Sequence, residues 1–259
     1  LSSLQRILLY PFAIIWDGIT SLRNYSYDNG IRSSQEFDLP LIGVGNLSLG
    51  GTGKSPHVEY LIRLLQETYH VGVLSRGYKR KTNGYRLANL NSTADEVGDE
   101  SLQMKLKYPR TAVAVSESRV MGVPKLLLDD KEVKVILLDD VFQHRAIKPG
   151  FNILLTDIDN LYADDAVLPA GLLRESSRGA KRADVIIVSK CPADVSKFRR
   201  AEISEKLNVT PSQQLFFTTF KYGLPYNILN SEDRLSGFKG ETLLVSGIAR
   251  PEYLKEALE

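Results

Sequence analysis

Cysteine is almost absent: Cys191 is the only one in 259 residues. That excludes an internal disulfide framework and a cysteine-based zinc site, and it fits a reducing compartment. Charge of one sign is also lacking. Lys and Arg number 33 against 31 Asp and Glu, a net charge of +2, so nothing in the composition favours nucleic acid as a partner. No apolar run reaches the roughly 18–20 residues that cross a bilayer. The longest is "ILLYPFAIIW", Ile7 to Trp16, closed by Asp17 and flanked by Arg6 and Arg23. No small-residue cleavage site follows it, which argues against a signal peptide. Two readings of this run remain: a helix packed on the protein's own core, or a helix lying in a membrane interface. Internal repeats and low-complexity tracts are missing as well.

What is present is an alternation of apolar runs and helical patterns. "LPLIGVGNL" (39–47), "HVGVLSRG" (70–77), "TAVAVS" (111–116), "VKVILLDD" (133–140), "NILLTDI" (152–158) and "DVIIVSK" (184–190) read as buried strands. They are rich in Val, Ile and Leu without polar alternation, as in a parallel sheet covered on both faces. Val58, Leu61, Ile62 and Leu65 recur at helical spacing after the second of two glycine clusters. The expected class is a doubly wound α/β fold with a mainly parallel sheet. The expected division is a helical, membrane-associating segment at 1–36, a nucleotide-binding domain at 37–212, an extended linker at 213–240, and the start of a smaller α/β domain at 241–259. Polar, turn-rich zones at 79–93 and 159–182 are long enough to be functional loops.

The first chemical signal is "SLGGTGKS", Ser48 to Ser55, set between a strand and a helix. This is the context of a phosphate-binding P-loop. Gly50, Gly51 and Gly53 let backbone N–H groups curl round an anion, and Ser48, Leu49 and Thr52 complete the cradle. Lys54 would reach the terminal phosphates and Ser55 would face Mg²⁺. Ser48 stands where the usual pattern has its first glycine, which a small residue satisfies if its φ is not positive. Asp139 and Asp140 end the strand "VILLDD", where a P-loop enzyme keeps its metal-side carboxylate. Asp99 and Glu100 in "VGDES" read either as helix N-terminal acids or as a base for phosphoryl transfer. Gln143, His144 and Arg145 follow Asp140, with His144 read equally well as a loop histidine or a ligand-orienting group.

Six pieces in order carry a resemblance: "RNYSYDNG" (23–30), "VGNLSLGGTGKSP" (44–56), "LSRGYKR" (74–80), "VGDE" (97–100), "DDVFQHR" (139–145) and "LPAGLLRE" (168–175). Together they resemble the tetraacyldisaccharide 4′-kinase family of lipid A biosynthesis over nearly the whole chain. The resemblance implies ATP and Mg²⁺, with γ-phosphate transfer to the 4′-hydroxyl of a tetraacylated glucosamine disaccharide 1-phosphate. It implies that Asp99 is the catalytic base, with Lys54 and Asp140 also catalytic. Ser55, Asp139, Glu100 and Gln143 would surround the metal. Arg76, Tyr78, Arg174, Glu175 and His144 would meet the substrate. It implies a lipid substrate, a place on the cytoplasmic face of the bacterial inner membrane through the N-terminal helix, and no obligate protein partner.

Two departures stand out. Val141 replaces the family's glycine after the paired aspartates, so the turn there is expected to differ. The family's "DHH" motif is not found, and the chain is expected to be C-terminally truncated relative to the family. The competing readings are a GTPase-like switch, a ligase or a non-catalytic adaptor. A guanine reader needs an N-K-x-D motif, and in "VSKCPAD" Ser189 stands in place of the Asn, with Asp194 at the wrong spacing.

Overall fold

The computed structural model describes residues 3–224, 226–227, 230–234, 243–245, 254–255 and 258. Two compact units divide at Thr218 and Thr219. Among the described residues, the first holds six α-helices: α1 (Ser3–Asp28), α2 (Lys54–Leu65), α3 (Ala94–Val97), α4 (Asp99–Lys107), α5 (Arg119–Asp129) and α6 (Lys197–Lys206). Its strands are β1 (Leu41–Asn46), β2 (Val71–Ser75), β3 (Arg86–Leu87), β4 (Ala112–Val115), β5 (Val135–Asp139), β6 (Phe151–Asp157), β7 (Val185–Ser189) and β8 (Gln214–Phe217). They form one sheet in the order β3-β4-β2-β5-β1-β6-β7-β8. Every pairing is parallel except β3 with β4.

The two-residue period of the strands sorts side chains onto two faces. Val71, Val73, Val113, Val115, Val135 and Leu137 join Val58 and Ile62 of α2 and Met104 of α4 in one core. Leu74, Ala112, Ala114, Ile136 and Leu138 join Val123 and Leu126 of α5 in another. A third core, on the β6–β8 side, takes in Leu154, Ile186 and Ile203. The order in which strands are added switches sides at β1, whose neighbours are β5 and β6. The crevice at the C-terminal ends of these strands is where open α/β sheets bind ligands.

The helix α5 and the edge strand β3 were not legible in the sequence. The stretch expected as linker from 213 begins instead as β8, paired along Gln214–Phe217 with β7. Leu215 and Phe217 pack against the third core, so the first unit extends through Thr218. The second unit contains an antiparallel pair, β9 (Tyr226–Asn227) and β10 (Asn230–Arg234). The strand–helix pattern expected from 241 onward lies, apart from 243–245, 254–255 and 258, outside the described residues.

Two glycines of β1 decide where the loop after β5 can lie. A Cβ at Gly43 would come within 2.9 Å of Val141 Cγ1, and one at Gly45 within 2.6 Å of Phe142 Cβ. Val141 and Phe142 therefore pack directly on the P-loop strand. The Val141 departure is accommodated because the left-handed residue of this turn is Asp140, at φ 48. Gly45→Ala should lower stability by about 1–3 kcal/mol through overpacking, although alanine suits a strand interior better than glycine. Urea unfolding checks this, and a variant as stable as the parent would show that the loop does not rest on β1.

Candidate active site

The P-loop joins β1 to α2. Gly50 (φ 106) and Gly53 (φ 81) take left-handed conformations that favour glycine. Ser48 does not: it is buried and bridges antiparallel to Leu173, while Leu49 N–H donates to the Leu172 carbonyl at 2.7 Å and Arg174 N–H to the Leu47 carbonyl at 2.7 Å. The loop's entry is thus a short two-stranded patch with "GLLRE", and no glycine is needed there. Gly51 and Thr52 complete the turn. Ser189 Oγ donates to the Thr52 carbonyl at 2.8 Å. His57 Nδ1 lies 2.7 Å from the Gly53 carbonyl and Nε2 3.0 Å from Thr218 Oγ. Since a carbonyl only accepts, the proton sits on Nδ1 and the Thr218 hydroxyl donates to Nε2.

Lys54 reaches across the crevice to Asn46 Oδ1 at 3.3 Å and to Asp140 Oδ1 at 3.6 Å. Ser55 Oγ donates to Glu100 Oε2 at 2.7 Å. Asp139 is buried, and its Oδ1 has no hydrogen-bond partner. Burial, with Glu100 and Asp140 adding to it, pushes the Asp139 carboxyl up to about 6. For Asp140 burial also acts upward, but Lys54, Arg174 and Arg119 outweigh it and hold the carboxyl below its ordinary value. Arg174 Nη1 lies 3.0 Å from both carboxylate oxygens of Asp140.

On the opposite wall, α4 begins at Asp99 after Gly98, whose φ of 84 and ψ of 153 suit glycine alone. A Cβ there would meet the Tyr78 carbonyl at 2.8 Å, so the "VGDE" turn packs backbone to backbone on "SRGY". Ser75 and Ser101 hydroxyls, 2.8 Å apart, tie the two together. Asp99, Arg76 and Tyr78 are exposed on this wall.

Other residues expected to meet ligands are committed elsewhere. Glu175 is only 2% exposed. It accepts from Arg182 Nη2 at 2.9 Å and Gln143 Nε2 at 3.1 Å, and from Asn24 Nδ2, so it braces the site rather than lining it. Gln143 spends its amide on the Asn46 carbonyl, Glu175 and Arg174, which removes it from the group around Ser55 and Asp139. Arg174 grips Asp140. His144 is half-buried, and burial together with Arg119 lowers it to about 4. Arg119, unnoticed in the sequence because it opens an ordinary-looking helix, is buried under β5. Its guanidinium donates to the Ser116 and Asp139 carbonyls at 2.7 and 2.8 Å. Asn46, Asn24 and His57 also went unread, and Ser189 was read only against a guanine motif, since each acts through a tertiary contact.

The model of the family described as tetraacyldisaccharide-1-P 4′-kinase, LpxK, matches residues 5–259. The chain belongs to that family. A tetraacyldisaccharide 4′-kinase of Flavobacterium johnsoniae is 50% identical over 98% of this chain and 76% of its own length. One from Bacteroides thetaiotaomicron is 45% identical over 97% and 69%. LpxK from Aquifex aeolicus, crystallised in complex with ATP, superposes with a TM-score of 0.66 at 29% identity, covering 83% of this chain and 82% of that one. The LpxK fold and the P-loop geometry therefore agree.

Burial lowers the folded-state pKa of His57, so the unfolded chain takes up its proton first as pH falls. Stability should then fall as pH drops below about 6.5, the ordinary histidine value. In His57→Gln the acid-side fall in Tm should be shallower; an unchanged Tm–pH slope would contradict a neutral, Nδ1-protonated His57.

Proposed function

We propose that this LpxK-family chain moves the γ-phosphate of ATP to the 4′-hydroxyl of a tetraacylated glucosamine disaccharide 1-phosphate at a membrane surface, with the residues above in defined roles. The observation that carries this reading is the crevice itself. Lys54 of the P-loop spans to Asp140 of the adjacent strand while Ser55 meets Glu100. Phosphoryl transfer asks for positioning and charge neutralisation more than covalent chemistry from the protein.

Gly50 to Gly53 and the N terminus of α2 offer the phosphates backbone N–H groups. Lys54 can exchange Asn46 and Asp140 for phosphate oxygens, with Arg174 keeping Asp140 in place. Ser55, Glu100 and Asp139 suit Mg²⁺: the unpartnered Asp139 oxygen is buried, and burial with Glu100 and Asp140 nearby raises the cost of ionising Asp139. Among the described residues no three His, Cys, Asp or Glu form a protein cage for a metal. Mg²⁺ held with phosphates needs only one or two protein groups. When bound, it supplies charge neutralisation at the phosphate oxygens. Asp99 is the base. Its side chain is exposed and uncommitted, facing the same crevice wall as Arg76 and Tyr78, and a carboxylate within reach of a sugar hydroxyl accelerates proton removal.

The membrane role rests on α1, whose amphipathicity is inverted. Ala13 and Thr20 are buried and Asp17 half-buried, while Leu4, Ile7, Leu8, Phe12, Ile14, Ile15, Ile19 and Leu22 are all exposed. No described helix is long and apolar enough to cross a membrane. A small, polar inner face with an apolar outer face suits a helix lying in the interface. Trp16 Nε1 donates to the Arg174 carbonyl at 3.1 Å, which pins this helix to the rim of the site.

Labelled ATP with the tetraacyl disaccharide 1-phosphate should give a labelled, lipid-extractable product; ATP turnover without one would reject the reading. Asp99→Asn should cut kcat by about 10²–10⁴-fold while leaving the KM for ATP nearly constant. Ile7→Glu with Ile15→Glu should release the protein from phospholipid vesicles in a flotation assay, and persistent flotation would remove α1 as the membrane contact.

A further inference from the structure

The glycines of the P-loop permit its shape without selecting it. Gly53 sits at φ 81 and ψ 25, yet glycine takes either sign of φ at similar cost. A trans peptide points its carbonyl and its N–H in opposite directions. A flip of the Thr52–Gly53 peptide would therefore turn the Gly53 N–H out of the cradle and aim a carbonyl at the phosphates. Helix α2 cannot prevent this. The residue four ahead of Thr52 is Pro56, which has no N–H to offer the Thr52 carbonyl. The choice falls to groups outside the loop.

We propose that Ser189 and His57 make that choice: they are positioning residues that grip the carbonyl side of the P-loop and so hold the Gly53 and Lys54 N–H groups toward phosphate. This rests on the ATP-site reading above and adds to it what orients the cradle. Ser189 is fully buried, and its Oγ donates to the Thr52 carbonyl at 2.8 Å. The Thr156 carbonyl lies farther off, at 3.2 Å, so the single hydroxyl proton favours Thr52. His57 Nδ1 takes the next carbonyl, that of Gly53, at 2.7 Å, which the His57 backbone N–H reaches only at 3.3 Å. The other side of both peptides is open. Among the described residues, neither the Gly53 nor the Lys54 N–H donates to a backbone carbonyl. Successive peptides with bonded carbonyls and open N–H groups make an anion-binding concavity.

Both grips are anchored on the sheet. Ser189 ends β7 in register with Asp157 of β6, and its carbonyl accepts from the Ile158 N–H at 3.1 Å. The next residue, Lys190, pairs with the buried Asp157 at 2.8 Å. His57 Nε2 accepts from Thr218, whose backbone bonds the Val188 carbonyl at 2.9 Å and the Cys191 N–H at 2.8 Å. The cradle is thereby tied to β7 and β8, on the side of β1 away from β5 and Asp140. Each residue acts through a loop carbonyl, so its effect is on the direction of the phosphate donors.

The test is calorimetric titration of the full chain with ADP and with adenosine, in the presence of Mg²⁺. Ser189→Ala removes only an oxygen, and circular dichroism verifies that the fold is kept. It should weaken ADP by about five- to tenfold and leave adenosine at the parent's level, because only phosphates meet the oriented peptides. Ser189→Thr, which keeps the hydroxyl, should recover most of the loss. The Gly53 amide resonance should shift on adding ADP to the parent and shift less in Ser189→Ala. His57 supplies a second arm that does not depend on Ser189→Ala folding. His57→Asn keeps an amide donor near the Nδ1 position and should bind ADP more tightly than His57→Gln, whose donor lies farther out. Parental ADP affinity in Ser189→Ala, or an equal loss of ADP and adenosine, overturns the assignment and leaves the P-loop reading standing. A parent that binds ADP no better than adenosine removes the phosphate site and the assignment with it.

Discussion

The close seating of Val141 and Phe142 on Gly43 and Gly45 is the constraint from which the rest of the site follows. Strand β1 has no side chain at the two positions the loop crosses, Gly43 and Gly45, so the loop leaving β5 runs against its backbone. This brings Asp140 within reach of Lys54, and it sets the Gln143 amide against the Asn46 carbonyl at 2.9 Å. A β1 carrying larger residues at 43 and 45 would push the Asp140 loop away from the P-loop strand. Loop 139–145 is thus positioned by an absence of atoms, and its polar groups then fix its neighbours.

Those polar groups form one connected network. Gln143 accepts from Arg23 of α1 and Arg174, and donates to Glu175 and β1. Glu175 is buried with Arg182 and Asn24 around it. The Arg182 guanidinium lies 4.6 Å from the Phe142 ring, stacking on the same residue that Gly45 admits. Buried charge is tolerable only when paired and hydrogen-bonded, and here each acid has a cation while each cation also bonds a loop carbonyl or amide. The outcome is that α1, with its outward apolar face, is joined to the Asp140 loop through hydrogen-bonded side chains as well as through packing.

Much of this was readable in the sequence, and the remainder was not for identifiable reasons. The six core strands and the P-loop helix follow from continuous Val, Ile and Leu runs and from helical spacing. These are local signals, and each of those elements appears in the structure. Ser48 was readable only as a conditional: a small residue suffices if φ is not positive, and the pairing with Leu173 supplies the condition. Helix α5 was hidden because "RVMGVPKLLL" contains Gly122 and Pro124, which read as breakers. The extended character of "QLFF" was readable, but a run this short before a polar stretch reads as linker rather than as a strand of the sheet. At the site, Lys54, Ser55 and Asp140 could be found by motif. Arg119 and His57 could not, since an arginine or histidine in a helix looks the same in sequence whether it faces solvent or reaches a strand-end carbonyl.

Gln143 and Glu175, expected beside the metal and the substrate, are both committed to protein partners. Motif resemblance identifies residues that a family keeps near its site, but it does not separate those that touch the ligand from those that hold the ones that do. Burial makes that separation. Glu175 has two oxygens, both taken by donors inside the protein, and no surface from which to meet a sugar or phosphate. Gln143 has one donor and one acceptor end, both committed. Asp99, Arg76 and Tyr78, by contrast, are exposed on a turn made rigid by Gly98 and by the Ser75–Ser101 contact. A rigid backbone carrying uncommitted side chains is what a site needs to meet a substrate without first breaking its own bonds. By that criterion the α4 wall presents uncommitted side chains, and the buried polar network lies behind them.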